Sequence, residues 1–475
     1  MPRMIFKYEM RQLIADRMFP TITLMVIIVF GFGLWNGQRW VDYQYQVIAS
    51  AEQEQASALA RAKAQAERVR AGMEEVSDWQ NPATTYGFME YHLVSFAIKL
   101  PAPLAPLAVG HSDLYPFVLK INTEPQSKLV SAHENVNVRK LLLGPFDLAF
   151  VSIYLLPLLI FALCYDVVAG EKEQGILVLL AAQPVSLPQL LYLKIGFRLI
   201  LIIGILTLLL ILISGLISDR LFEPQAAVQL LVWLGVVVAY SLFWFLLCVF
   251  IISWGWKSAT NALALAGCWL LVVVLVPAGV STWITAAYPL PSRVEFIKTM
   301  RDNQENAWKD PSQFIEKFLI DHPQLRPQVK DNGSWASWSI MNREINRQIQ
   351  VVETEFAMQL QRQQHFVEWL KFLSPALLVH SAFLDLTGTG IASQREFLSQ
   401  VDLYHAELED YFITKLIRKE IDFTGYDEFP RFHYKNISSE KLQASFVTCA
   451  ALAGQAFVLA VLGLPRLRRY PIVEE

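Results

Sequence analysis

The sequence predicts an all-α polytopic membrane protein with six transmembrane helices and two large, mainly helical domains on one side of the bilayer. Three observations predict it. First, of 475 residues, 54% are hydrophobic and only 17% are charged. A soluble domain carries about a quarter charged residues, and the mean hydropathy here is +0.35. Second, no Asp, Glu, Lys or Arg occurs in Met18–Gln38, Leu148–Tyr165, Leu199–Ser218, Pro224–Trp256, Ser258–Ser292 or Leu442–Pro465. Each stretch holds the roughly 20 apolar residues that cross a bilayer as a helix. Third, the basic residues flanking these stretches alternate in a way that fixes an orientation.

Taken in order, the chain divides into an interfacial helix (1–18), span one (19–37), a first exterior segment (38–147) and span two (148–165). A cytoplasmic loop (166–198) leads to spans three (199–217), four (226–252) and five (259–285). A second exterior segment (286–441), span six (444–464) and a cytoplasmic tail (465–475) complete it. Arg3, Lys7, Arg11 and Arg17 precede span one, Lys257 joins spans four and five, and Arg466, Arg468 and Arg469 follow span six. Lys172, Lys194 and Arg198 fall on the same side. Short basic flanks mark the cytoplasm, so both termini are expected there. The two long segments lie opposite and are acidic: ten basic against twelve acidic residues, then eighteen against twenty-two.

The N-terminal segment places Phe6, Met10, Leu13 and Ile14 at helical spacing among basic residues, the pattern of an amphipathic helix lying in the membrane interface. No small-residue cleavage site follows the first apolar stretch, which argues against a removed signal peptide. The first exterior segment opens as a helix: from Asp42 to Gly72 no Gly or Pro occurs until the last position, and helix formers dominate. Within it Ile48, Leu59, Ala62, Ala66 and Val69 form a thin seam. A solvated stalk is the favoured reading, a coiled coil the other. From Pro82 to Pro125 the chain is rich in Pro and aromatics, and reads as an irregular or β-containing lobe. In the second segment Trp335–Leu373 is one periodic run, ended by Ser374-Pro375. Leu386-Thr-Gly-Thr-Gly390 breaks the chain before a second helical pattern from Ser393 to Ile417.

Several function classes are excluded or weakened. A net charge of −3 gives no basic face for nucleic acid. There is no Gly-x-x-x-x-Gly-Lys-Ser/Thr phosphate loop, no His-Glu-x-x-His and no Gly-x-Ser-x-Gly. No catalytic, cofactor-binding or metal site is therefore expected in this chain, and its eight histidines are not paired at ligand spacing. No ionisable residue lies inside a predicted span, which weakens ion-coupled transport. Cys164, Cys248, Cys268 and Cys449 fall in or beside apolar stretches, where a thiol packs as a small hydrophobe. Pro157 and Pro277 are placed to bend spans two and five.

The loop after span two reads Tyr165-Asp-Val-Val-Ala-Gly-Glu-Lys-Glu-Gln-Gly-Ile-Leu-Val-Leu-Leu180, then Gln183-Pro-Val-Ser-Leu-Pro-Gln189 and Lys194. It resembles the loop of membrane subunits of type-two ATP-binding-cassette exporters, which carry Glu-x-Glu-x-Gly-Thr-Leu, a Leu-Leu run, a Pro turn and a Lys. Glu171, Glu173, Gly175, Leu177, Leu179, Leu180, Pro184, Ser186 and Lys194 match, and Ile176 stands where that family has Thr. The resemblance extends over the six-span body and is to a subfamily with exterior insertions after spans one and five. It implies a permease subunit in a bacterial cytoplasmic membrane, driven by a separate ATPase subunit that binds ATP and Mg. It also implies a dimer with a second copy or a similar permease, and leaves room for envelope partners outside.

On that resemblance Gly170, Glu171, Glu173, Gly175, Pro184 and Lys194 form the coupling element. Gly170 and Gly175 bracket a short interfacial helix, and Glu171 and Glu173 face the ATPase. Reversing both charges is then expected to uncouple the complex and leave the fold intact. The alternative is a membrane-anchored binding, scaffold or signalling protein that transports nothing.

Overall fold

The computed structural model describes residues 18–123, 145–181, 187–217, 224–289, 309–321, 333–418, 420–435 and 439–468, with short runs in 6–14, 297–306, 323 and 470–471. Helix α1, Met18–Arg70, is one rod that contains span one and the run expected to continue it. It leads into an irregular region carrying a two-stranded antiparallel hairpin, β1 Ser95–Ile98 and β2 Val118–Ile121, with Ser95 opposite Ile121. Span two is composite: a helical turn Leu148–Phe150, a π-turn Val151–Leu155 and α2, Leu156–Cys164. The short helices α3, Ala169–Glu173, and α4, Ile176–Ala181, follow. Then come α5, Leu187–Ile217, and α6, Pro224–Ile252. Span five comprises α7, Ser258–Trp269, a π-turn Leu270–Leu275 and α8, Val276–Ala287. Beyond it lie α9, Pro311–Asp321; α10, Gly333–Leu370; α11, Pro375–Thr387; α12, Ile391–Ile417; and α13, Ser439–Leu467.

Among the described residues seven helices are long and apolar enough to cross a membrane, so the chain is a multi-pass membrane protein. Six coincide with the charge-free stretches. The seventh, Pro375–Leu416, lies inside the segment expected to be wholly exterior. It is in fact two helices, parted where Gly388 takes a left-handed φ of +65° and caps α11. α11 packs into the membrane bundle: Leu378, Val379, Ala382, Phe383 and Leu386 join its core, and Phe383 stacks on Trp233 of α6 at 4.7 Å.

Spans two and five each widen into a π-turn just before Pro157 and Pro277. Pro157 and Pro277 have no N–H to give, and a buried carbonyl in hydrocarbon needs another donor. Tyr240 Oη donates to Ile153 O at 2.9 Å and Trp269 Nε1 to Tyr154 O at 3.2 Å. Ser374 Oγ donates to Val272 O at 2.7 Å. Each distorted turn is therefore held by a neighbouring helix, and π-turns of this kind concentrate at functional positions.

Two exterior domains were expected; among the described residues, parts of the two segments build a lobe with a shared core, while Leu319, Ile340 and Ile315 of α9 and α10 form a separate small cluster. Ala62 and Ala66 of α1, Phe88, Ala97 and Ile121 pack with Phe397, Val401, Leu408 and Phe412 of α12 and with Phe423 and Phe429. Phe88 stacks on Phe423 at 4.4 Å, and Tyr426 Oη donates to Pro82 O at 2.8 Å. The Ala-rich seam is thus neither a solvated stalk nor an intermolecular coiled coil. Its small side chains let α12 and the loops lie close against α1.

The lobe and the bundle meet at Asp147, which is buried. Its carboxylate accepts from Phe150 N at 2.7 Å, capping the start of span two, and from Val109 N at 2.8 Å. Burial pushes this carboxyl above its ordinary range, against the pull of the backbone donors of Phe150, Val109 and Gly110. Asp147→Ala removes the cap and leaves those N–H groups unpaired, a loss of about 1–2 kcal/mol. The detergent-solubilised variant should melt several degrees lower, and an unchanged melting temperature would show that the cap contributes nothing.

Candidate functional site

The sequence singles out the segment after span two, and the structure places it at the end of the bundle remote from the lobe. Cys164 ends α2, a turn leads into α3, and Gly175 ends α3 with a φ of +72°, a conformation that L side chains rarely adopt. Gly175 N donates to Lys172 O across this turn. Gly170 lies inside α3 with ordinary helical geometry and is not required by any close approach. Pro184 lies outside the described residues.

Each of the three charged side chains of α3 is used within the chain. Glu171 is 7% exposed and pairs with Lys194 of α5, which is 3% exposed. The Lys194 ammonium also lies 3.0 Å from the carboxylate of Glu9, itself 2% exposed, on the N-terminal helical run. Lys172 Nζ donates to Gly255 O at 3.2 Å, in the turn between spans four and five. Glu173 Oε1 accepts from Ser258 N at 2.7 Å. It serves as the cap of span five from a distant part of the sequence, because Lys257, at the N-cap position, supplies no side-chain cap. A carboxylate at a helix N-terminus is favoured by both the orphan N–H and the helix dipole.

Glu171, expected with Glu173 to face a partner, is instead buried within the chain. Glu171 is drawn inward by the buried Lys194 ammonium, which it shares with Glu9; a buried cation left without carboxylates would cost several kcal/mol. Glu173 remains solvent-exposed but is committed to Ser258. Beyond Gly175 the described side chains that the loop exposes are apolar. On α4, Leu177 is buried, whereas Val178 is 50% and Leu179 70% exposed.

The turn held by Lys172 is itself tightly built. Gly255 has a φ of +72°, and a Cβ there would lie 2.5 Å from Pro471 of the C-terminal tail. Arg466 lies over Trp254 at 4.7 Å and over Phe250 at 5.3 Å. Tyr470 is buried, and burial with the nearby Glu173 charge pushes its phenol up to about 12. On the N-terminal run Phe6 meets Phe197 edge to face at 4.8 Å, while Met10 and Ile14 stay exposed. Their exposure leaves part of the amphipathic stripe free to meet lipid. The missed signal was Lys194: it reads as a loop charge, but a lysine eight residues into a helix needs a partner, and Glu171 and Glu9 are the carboxylates within reach.

Among the described residues no group of three or more His, Cys, Asp or Glu is placed to hold a metal ion. Comparison with known families finds one match, DUF3526, a domain of unknown function, over residues 293–435. That region falls within the second long segment and contains α9 to α12. No curated protein matches the chain, and no solved structure matches it.

Proposed function

We propose that this chain is the permease subunit of an ATP-driven type-two exporter or extruder of the bacterial cytoplasmic membrane. It binds no ATP itself; a separate ATPase subunit carries ATP and Mg. Six helices cross the bilayer, both termini are cytoplasmic and the lobe is exterior. α11 is re-entrant: its 13 residues span about 20 Å, short of the roughly 30 Å hydrocarbon layer. A second copy or a similar permease completes the translocation unit, since closed two-fold assemblies are the commonest arrangement.

The observation that carries the reading is the bracing around α3. A five-residue helix is tied at once to span three through Lys194, to the N-terminal run through Glu9, to the turn between spans four and five through Gly255, and to the start of span five through Ser258. Force applied to the adjoining apolar knob at Val178 and Leu179 is then shared among these elements. A loop that merely kept itself hydrated would need none of these ties. ATP-driven closure of the partner subunits would push this end of the bundle, and the π-turns before Pro157 and Pro277 give spans two and five places to bend.

The topology is tested by single-cysteine labelling in a background lacking the four native cysteines. Met73→Cys, at a position 79% exposed in the lobe, should react with an impermeant thiol reagent added outside intact cells. Reaction only after the cytoplasmic side is opened would reverse the orientation and remove the ATPase docking face from the cytoplasm.

A further inference from the structure

α11 carries a polar face at a depth where a lipid-facing helix would be apolar. Two contacts set the depth of its lower end. Ser374 bonds Val272, midway along the helix of span five, Ser258–Ala287. Gln455, near the middle of α13, donates to Phe372 O at 3.0 Å. On the proposed topology the turn into α11 therefore lies near the bilayer midplane, where the Ser374 and Gln455 side chains bond backbone carbonyls. From there α11 rises at 1.5 Å per residue, so His380 stands about 9 Å above the midplane and Asp385 about 16 Å. The hydrocarbon boundary lies at about 15 Å.

One side of α11 is packed into the bundle core. The other side carries His380, which is exposed, and Leu377, Ser381 and Asp385, which are half-buried, at i, i+3, i+4 and i+8 spacing. The His380 ring lies 6.2 Å from that of His111, on the loop that follows β1. Nδ1 of His111 is buried without a hydrogen-bond partner among the described residues. An imidazole and a hydroxyl on one face at this depth, with a carboxylate at its upper edge, do not face lipid; such groups face the bundle interior or a water-filled cavity, and His380 is exposed rather than interior.

We infer that the His380 face of α11, with His111, lines a water-filled vestibule that opens to the lobe side and admits small hydrated solutes to within about 9 Å of the midplane. The depth rests on the proposed topology, and the exporter reading adds only the vestibule's purpose, as the exterior mouth of the path. Water access is measurable whether or not the chain transports anything.

The test is the rate of modification by a charged, membrane-impermeant methanethiosulfonate in the cysteine-free background, on the full chain in membrane vesicles without ATP. His380→Cys and Ser381→Cys are compared with Met73→Cys in the lobe and with Ala450→Cys. Ala450 is exposed on α13 five residues before Gln455, and so stands about 8 Å above the midplane, at a matching depth. Either vestibule position should react more than tenfold faster than Ala450→Cys and approach the rate of Met73→Cys. If both react within tenfold of Ala450→Cys, the face is covered by lipid or by a second copy and the inference falls. ATPase association, measured separately, decides the exporter reading, so the two can fail independently.

Discussion

Lys194→Met is expected to be the most damaging single substitution at the end of the bundle that carries the termini. The lysine is 3% exposed and stands between two buried carboxylates, Glu171 and Glu9. Its removal leaves both without their cation, and breaking a buried pair from one side costs about 3–5 kcal/mol. That is a large part of the 5–15 kcal/mol that holds an ordinary domain together. Thermal unfolding of the solubilised protein should move down by many degrees. The triple variant Glu9→Gln, Glu171→Gln, Lys194→Met should recover much of the loss, because no charge is then left buried and unpaired. Equal melting of Lys194→Met and the parent protein would show that the cluster is not a structural tie.

The same geometry changes what charge reversal does. From the sequence, Glu171→Lys with Glu173→Lys is expected to uncouple a folded permease. With Glu171 against Lys194 and Glu173 on Ser258 N, reversal instead buries a second cation beside the first and strips the cap from span five. The variant should lose stability along with any activity.

The second large effect belongs to α4. Val178→Asp with Leu179→Asp places two carboxylates on a surface that is already solvated, so the fold should be unchanged to within about 0.5 kcal/mol per site. Where that surface docks on the ATPase, each carboxylate loses its water without gaining a partner. A desolvated unpaired charge costs about 2–5 kcal/mol, and every 1.4 kcal/mol is tenfold in affinity. Association should weaken by a hundredfold or more, at unchanged expression and melting temperature. Retained association would move the docking surface elsewhere on this end of the bundle.

Charge exclusion made the membrane helices legible. The stretch Pro224–Trp256 became α6, Pro224–Ile252, and Ser258–Ser292 became the helix of span five, Ser258–Ala287. The start of span three was read at Leu199, but α5 begins at Leu187. Lys194 and Arg198 lie within that helix, where Glu171 and Glu9 neutralise the first and Leu163 O accepts from the second. α11 was hidden for a different reason. It has too few apolar residues for a span and is flanked by proline and glycine, so only its tertiary anchors at Val272 and Gln455 show where it sits. The core shared by the two segments was equally invisible, because Ala62 and Ala66 look like surface alanines until α12 and Phe423 are brought against them. Within the candidate site, the spacing of Glu171, Glu173 and Gly175 located the loop but gave neither carboxylate its direction. That direction depends on Lys194 and Ser258, which are distant in sequence.

The central claim is that this chain is moved by an ATPase it does not contain. It is tested by isolating the chain with its partners from native membranes and measuring ATP hydrolysis and mass on the same sample. The account predicts an assembly of two permease and two ATPase chains that hydrolyses ATP, whose activity leaves with the ATPase when Val178 and Leu179 are replaced by Asp. The permease alone should hydrolyse none. Isolation of the chain without any ATP-hydrolysing partner, or ATP hydrolysis by the permease chain itself, would contradict it.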